Sequence, residues 1–125
     1  MDQQKKMIEE YIHAYNQFEI ESMLILLHED VVFENFSEGI CNVKTEGIDE
    51  FRLQAQDARK YFSKRTQTIK EWDIQIDKII VKIAYEGILA IDLPNGMKAG
   101  DCILIEGQSE FMFTDTKISK IVDRS

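Results

Sequence analysis

The stretch Gly100 to Phe113, GDCILIEGQSEFMF, alternates along its whole length. Ile103, Ile105, Gly107, Ser109, Phe111 and Phe113 fall on one face. Cys102, Leu104, Glu106, Gln108, Glu110 and Met112 fall on the other. A repeat of two marks an extended strand, because successive side chains point to opposite sides of a sheet. One face is mostly apolar, interrupted only by Gly107 and Ser109. The pattern predicts the floor strand of a curved sheet that wraps a pocket, with N-terminal helices closing it.

The rest of the chain must supply those helices and the neighbouring strands. Gln3 to Phe18 carries Met7, Ile8, Tyr11, Ile12, Tyr15 and Phe18 at steps of three and four, the stripe of a helix. A second helix is predicted from Ile20 to His28, burying Ile20, Met23, Leu24 and Leu27, and two such helices pack as a hairpin. Glu29-Asp30 reads as a turn. Val31 to Phe36 is the first strand, with Val31, Phe33 and Asn35 on one face. Ser37 to Gly47 reads as a loop, and Ile48 to Phe62 as a third helix, with Thr45 or Asp49 as candidate caps. From Thr66 the chain is all strand: Thr68–Ile76, a turn at Asp77-Lys78, Ile79–Ile91, the Leu93-Pro94-Asn95-Gly96 turn, the floor strand, a turn at Thr114–Lys117, and Ile118–Asp123. Helices first and four hairpin-linked antiparallel strands last define an α+β fold rather than a parallel α/β one.

Length and charge exclude several roles. The 125 residues fit one domain with one sizeable core. A net charge of −8 and the absence of a Lys/Arg cluster argue against a nucleic-acid partner. No apolar run approaches the roughly 20 residues that cross a bilayer, so no membrane role is expected. Met1 to Lys6 is polar, with no secretory apolar segment after it, and a cytoplasmic location is expected. Cys41 and Cys102 then read as reduced thiols. Two separated histidines, His13 and His28, and two separated cysteines lack metal-ligand spacing. The PNG and KAG turns lack a phosphate-loop pattern, and no nucleophile–histidine motif is present. No metal and no cofactor are expected.

Three stretches carry a family resemblance: EEYIHAYNQFEIESMLILLHEDVVFENF, TEGIDEF and GDCILIEGQSEFMFTDTKISKIVD. Their order resembles the SnoaL-like group of the nuclear transport factor 2-like superfamily, a group whose namesake is a polyketide cyclase. The resemblance implies a single domain over residues 1–125. It further implies a bent sheet and helices forming a cone with a ligand pocket at its open end, and a homodimer through the outer sheet face. Against ketosteroid isomerase, a relative on this fold, the catalytic tyrosine falls at Tyr11, the general-base aspartate at Asn35 and the oxyanion-hole aspartic acid at Ser109. An amide cannot serve as that base, so the same isomerisation is not expected. The acid and histidine of the family's cyclases are not reproduced either.

Asp123 then becomes the candidate proton carrier. It shares a strand face with Ile121; if Ile121 points inward, so does Asp123, and an apolar mouth would raise its pKa. The plain alternative is a strand-end carboxylate paired to Arg124, Arg65 or Arg59. Tyr11 is either a pocket donor or a core tyrosine. Asn35 and Ser109 are either hydrogen-bonding positioners or structural. Phe33, Trp72, Tyr85 and Phe111 complete the expected pocket lining, with core or interface as the other reading of Trp72 and Tyr85. His13 reads as solvated. Glu106, Gln108 and Glu110, alternating with Leu104 and Met112, suit either a dimer interface or a solvated face. Two functions follow: a domain binding a small, largely apolar molecule, with cofactor-free isomerase, cyclase or dehydratase chemistry, or a non-catalytic binding or association module. An interaction protein that works as a monomer through the outer face is a third. If Phe33, Phe51, Phe62 and Phe111 fill the cone, no substrate fits.

Overall fold

The computed structural model describes residues 2–125. Three helices, α1 (Asp2–Asn16), α2 (Ile20–Ile25) and α3 (Ile48–Arg59), lie against one six-stranded sheet. Its strands are β1 (Leu27–Ser37), β2 (Ile40–Glu46), β3 (Phe62–Ile74), β4 (Ile79–Leu89), β5 (Cys102–Thr114) and β6 (Lys117–Arg124), in the spatial order β2-β1-β6-β5-β4-β3. Every neighbouring pair is antiparallel except β1 and β6, which run parallel. The fold is α+β, with a mixed sheet.

The helical stripe behaves as its spacing requires. Ile8, Tyr11 and Ile12 of α1 are buried with Ile20, Met23 and Leu24 of α2, Phe51 of α3, and Val31, Ile79, Val81, Phe111, Ile118 and Ile121 of the sheet. The Tyr11 ring meets Phe111 edge-on, with centroids 5.8 Å apart. Phe18 adopts a left-handed φ of 59°, and Glu19 N–H donates to Ala14 O at 2.9 Å, which closes the end of α1. The Asn16 side chain then clasps edge strand β3. Its Nδ2 donates to Gln67 O at 3.1 Å, and its Oδ1 accepts from Gln67 N at 2.8 Å.

Several boundaries differ from those expected. The second helix stops at Ile25 instead of His28, because Leu27 already pairs with Ile118 in the sheet. Glu29 and Asp30 are not a separate turn. They lie inside β1, where its register against β6 shifts between Leu27 and Val32. Residues 37–47 are not a loop but the turn and second strand of a hairpin. Glu38 and Gly39 both have positive φ, the geometry of a two-residue turn matched to strand twist. β2 escaped recognition because it is an exposed edge whose single buried residue is Thr45. Neither Thr45 nor Asp49 caps α3; Gly47 stands at the cap with φ 89°. The third helix ends at Arg59, and β3 begins at Phe62, well before Thr68.

On the outer face Leu104 is 72% exposed, whereas Glu110 is buried. Glu110 accepts from Arg124 Nε at 2.8 Å and from Lys78 Nζ at 3.3 Å. Burial alone would raise its pKa, but these two cations prevail and hold it below the ordinary range.

On the inner face, register decides what the helices cover. Phe33, Ile121, Phe111 and Ile79 stand side by side across β1, β6, β5 and β4 and form the packed floor. One pleat further along, Asn35, Asp123, Ser109 and Val81 make the next row. The row after that includes Gly107, opposite Ile83. A side chain at Gly107 would collide with the Arg124 carbonyl, so β6 approaches β5 this closely only because the residue is glycine. Gly107→Ala is expected to lower stability by about 1–3 kcal/mol, measured as a lower urea midpoint at unchanged m value. An unchanged midpoint would mean that this approach carries no constraint.

Candidate functional site

Beyond the packed floor the inner face is not filled. A half-enclosed cavity of about 370 Å³ lies between the bent sheet, α1 and α3. That is within the range of small-molecule sites. Phe33, Phe51 and Phe62 border this space rather than fill it. Phe33 and Phe51 meet edge-on at 5.7 Å, which holds both rings back against α3.

Of the residues singled out in the sequence, Tyr11, Phe33, Asn35, Tyr85, Ser109 and Asp123 border the one cavity. Two others do not. Phe111 lies under Tyr11 in the packed floor, 1% exposed. Trp72 packs at the margin of the core, beneath Lys5 of α1 at 4.8 Å. A register shift between Ile69 and Glu71 puts Ile69 and Trp72 opposite Ile83 and Val81, so Trp72 ends the row nearer the N-terminal half of α1.

Asp123 is the acid of the cavity. Ser109, directly opposite it on β5, donates its hydroxyl to Asp123 Oδ1 at 2.6 Å. None of the three arginines considered for it pairs with it. Arg124 binds Glu110 on the outer face, Arg65 stacks on Tyr15, and Arg59 lies near Phe18. Burial pushes the Asp123 carboxyl up from 3.8 to about 6, and the Ser109 hydrogen bond offsets only part of that. A carboxyl in this range both takes up and releases protons near neutral pH. Asn35 stands opposite Asp123 on β1, and its Nδ2 donates to Asn42 Oδ1 at 2.9 Å. Tyr11 is held firmly protonated, chiefly by burial and then by the Asp123 charge. It is therefore a hydrogen-bond donor, not a base.

The cavity also contains a cation that the sequence reading did not place there. Arg65 of β3 is only 3% exposed, and no carboxylate lies within salt-bridge distance among the described residues. Its Nε donates to the Tyr15 carbonyl at 2.9 Å, at the C-terminal end of α1. Its guanidinium carbon lies 3.6 Å from the Tyr15 ring centroid and 4.5 Å from that of Phe18. The signal was available: continuing the alternation back from Ile69 puts Gln67 and Arg65 on the same inner face. Tyr15, four residues after Tyr11, and Gln67 also border the cavity.

The described residues thus form an α+β fold whose inner sheet face carries a polar row beside an apolar hollow. The SnoaL-like domain model matches residues 8–121, and the chain belongs to that family. Solved structures of the same fold include a candidate polyketide cyclase from Xanthomonas campestris pv. campestris, with TM-score 0.85 and 16% identity over 99% of this chain and 90% of that one. A candidate SnoaL-like polyketide cyclase from Jannaschia sp. CCS1 aligns with TM-score 0.81 and 10% identity, over 98% and 84%. TerC, co-crystallised with polyporic acid, aligns with TM-score 0.77 and 16% identity, over 97% and 89%. At these identities the likeness concerns the fold alone. A comparison with curated proteins finds no match.

Proton linkage gives a direct check on the Asp123 environment. The folded protein keeps this proton up to about pH 6, while the unfolded chain releases it near 3.8. Folding therefore takes up a proton between these values, and the group's contribution to stability is fullest below the unfolded value and declines as pH rises through 6. Asp123→Asn is expected to stabilise the protein at pH 7.5 by an amount on the order of 1–3 kcal/mol. The gain should shrink toward zero near pH 4. A variant equally or less stable at both pH values would place the carboxyl in water.

Proposed function

We propose that this protein binds a small, largely apolar molecule in the cavity and moves a proton on it without a cofactor, as isomerases, cyclases and dehydratases do. Asp123 is the proton carrier. Tyr11, Ser109 and Asn35 position the ligand by hydrogen bonds. The observation that carries this reading is a lone carboxyl group in an apolar hollow, with a serine hydroxyl as its partner and its pKa brought close to neutrality. The amide at Asn35 leaves Asp123 as the acid–base group of the polar row. The neighbours named as candidate polyketide cyclases favour the same class of chemistry. A homodimer through the outer sheet face, where Leu104 is exposed, belongs to the proposal and is checked by sedimentation equilibrium.

The test does not require the natural product to be known. Metabolites that raise the melting temperature are collected first, because a ligand that binds only the folded state stabilises it. Each is then incubated with the protein in deuterium oxide, and exchange at carbon is followed by proton NMR. The proposal expects at least one binder to exchange at an enzyme-dependent rate that rises with pH around 6 and falls about 100-fold or more in Asp123→Asn, with binding retained. Binders that never exchange would make the protein a carrier or sensor. Exchange untouched by the substitution would remove Asp123 from its role.

A further inference from the structure

The proposed chemistry makes no use of Arg65, yet this residue is the least ordinary group in the cavity wall. An ionised side chain is rarely taken out of water without an opposite charge. Arg65 is buried, and no ion pair among the described residues includes it. The Tyr15 carbonyl and two aromatic faces satisfy only part of its fork. Nη2 is buried without a hydrogen-bond partner among the described residues. An unmade hydrogen bond on a buried charged donor is expensive, and a guanidinium is shaped to donate to two oxygens side by side.

Its position is as informative as its chemistry. Arg65 stands on β3 and Asp123 on β6, separated by β4 and β5. They also differ along the strands: Arg65 pairs with Gly87, six residues along β4 from Val81 in the Asp123 row, yet both side chains line the one cavity. Tyr11 lies in the field of both charges: Asp123 disfavours its ionisation and Arg65 favours it. Tyr85 stands on β4 between the Gly87 row of Arg65 and the Val81 row of Asp123, and its ring meets Tyr15 at 6.5 Å and Phe62 at 6.0 Å, all three bordering the cavity. The cavity therefore has a cationic end, an aromatic midsection and an acid end.

We infer that the ligand is an organic anion of bicyclic size, whose carboxylate or ionised enol oxygen sits on the Arg65 guanidinium while its apolar body lies along the aromatic midsection toward Asp123. This rests on the reading of the cavity as the ligand site. Arg65 is then what fixes which end of the molecule meets the acid.

Two probes of one shape separate the charge from the pocket: naphthalene-2-carboxylate and naphthalene-2-carboxamide, titrated calorimetrically into the full chain at pH 8. The carboxylate is expected to bind about tenfold or more tightly than the amide. The ¹⁵N–¹H signal of the Arg65 side chain should move with the carboxylate and not with the amide. In Arg65→Gln the preference should vanish while the amide's affinity is kept. Equal binding of the two probes by the unaltered protein, or a preference that survives Arg65→Gln, would overturn the inference and leave the cavity as a site for neutral molecules. Binding of neither probe would overturn both readings. The unaltered protein's probe ratio and Arg65 signal decide the matter even if the variant does not fold.

Discussion

Strand β6 is paired in two senses at once, parallel to β1 and antiparallel to β5. The sheet depends on this double pairing, since without it the β1–β2 hairpin has no link to the β3–β4–β5 meander. It also sets the chemistry. Side chains directly opposite one another in adjoining strands share a face, so the register that puts Ile121 between Phe33 and Phe111 must put Asp123 between Asn35 and Ser109. The apolar floor and the polar row are one pattern read at two successive pleats. The helices cover the first row and the Val81 end of the second, and leave Asn35, Asp123 and Ser109 bordering the cavity.

The electrostatics follow from that placement. Asp123 is raised because apolar walls surround it and a single hydroxyl answers it. Glu110, on the opposite face of β5, is also poorly exposed, yet Arg124 and Lys78 pull it the other way. Two carboxyl groups at neighbouring positions of one sheet thus titrate in opposite directions, and the difference is the presence or absence of a cation within reach.

How much of this was legible depended on how strongly each segment's periodicity was tied to burial. The floor strand and the stripe of α1 were clear, because one face of each meets the core and the pattern is long. The face shared by Ile121 and Asp123, and the faces that carry Asn35 and Ser109, could be read by counting in twos; that they form one row is set by register. β2 was not legible, since an exposed edge strand needs almost no apolar residues, and Cys41 to Glu46 looks like loop. Trp72 lies on the inner face but in a part of its row that α1 covers, which no local pattern in the sequence announces. Phe111 was misassigned because face parity does not tell which pleat the helices cover. Arg65 was weighed only as a partner for Asp123, and its burial was missed for a different reason. A charged residue near a helix–strand junction is ordinarily solvated, and only the packing of Tyr15 and Phe18 around it shows otherwise.

The link between the first and last strands also has a bearing on biogenesis. β6 follows the helices, the hairpin and the meander in chain order, so the strand that joins the two halves of the sheet is made after both of them. Until it emerges, the two halves of the sheet expose unpaired edges at β1 and β5, the kind of surface that invites intermolecular pairing. The same short segment brings Asp123 and completes the seam, so the polar row is assembled only when the two exposed edges are covered.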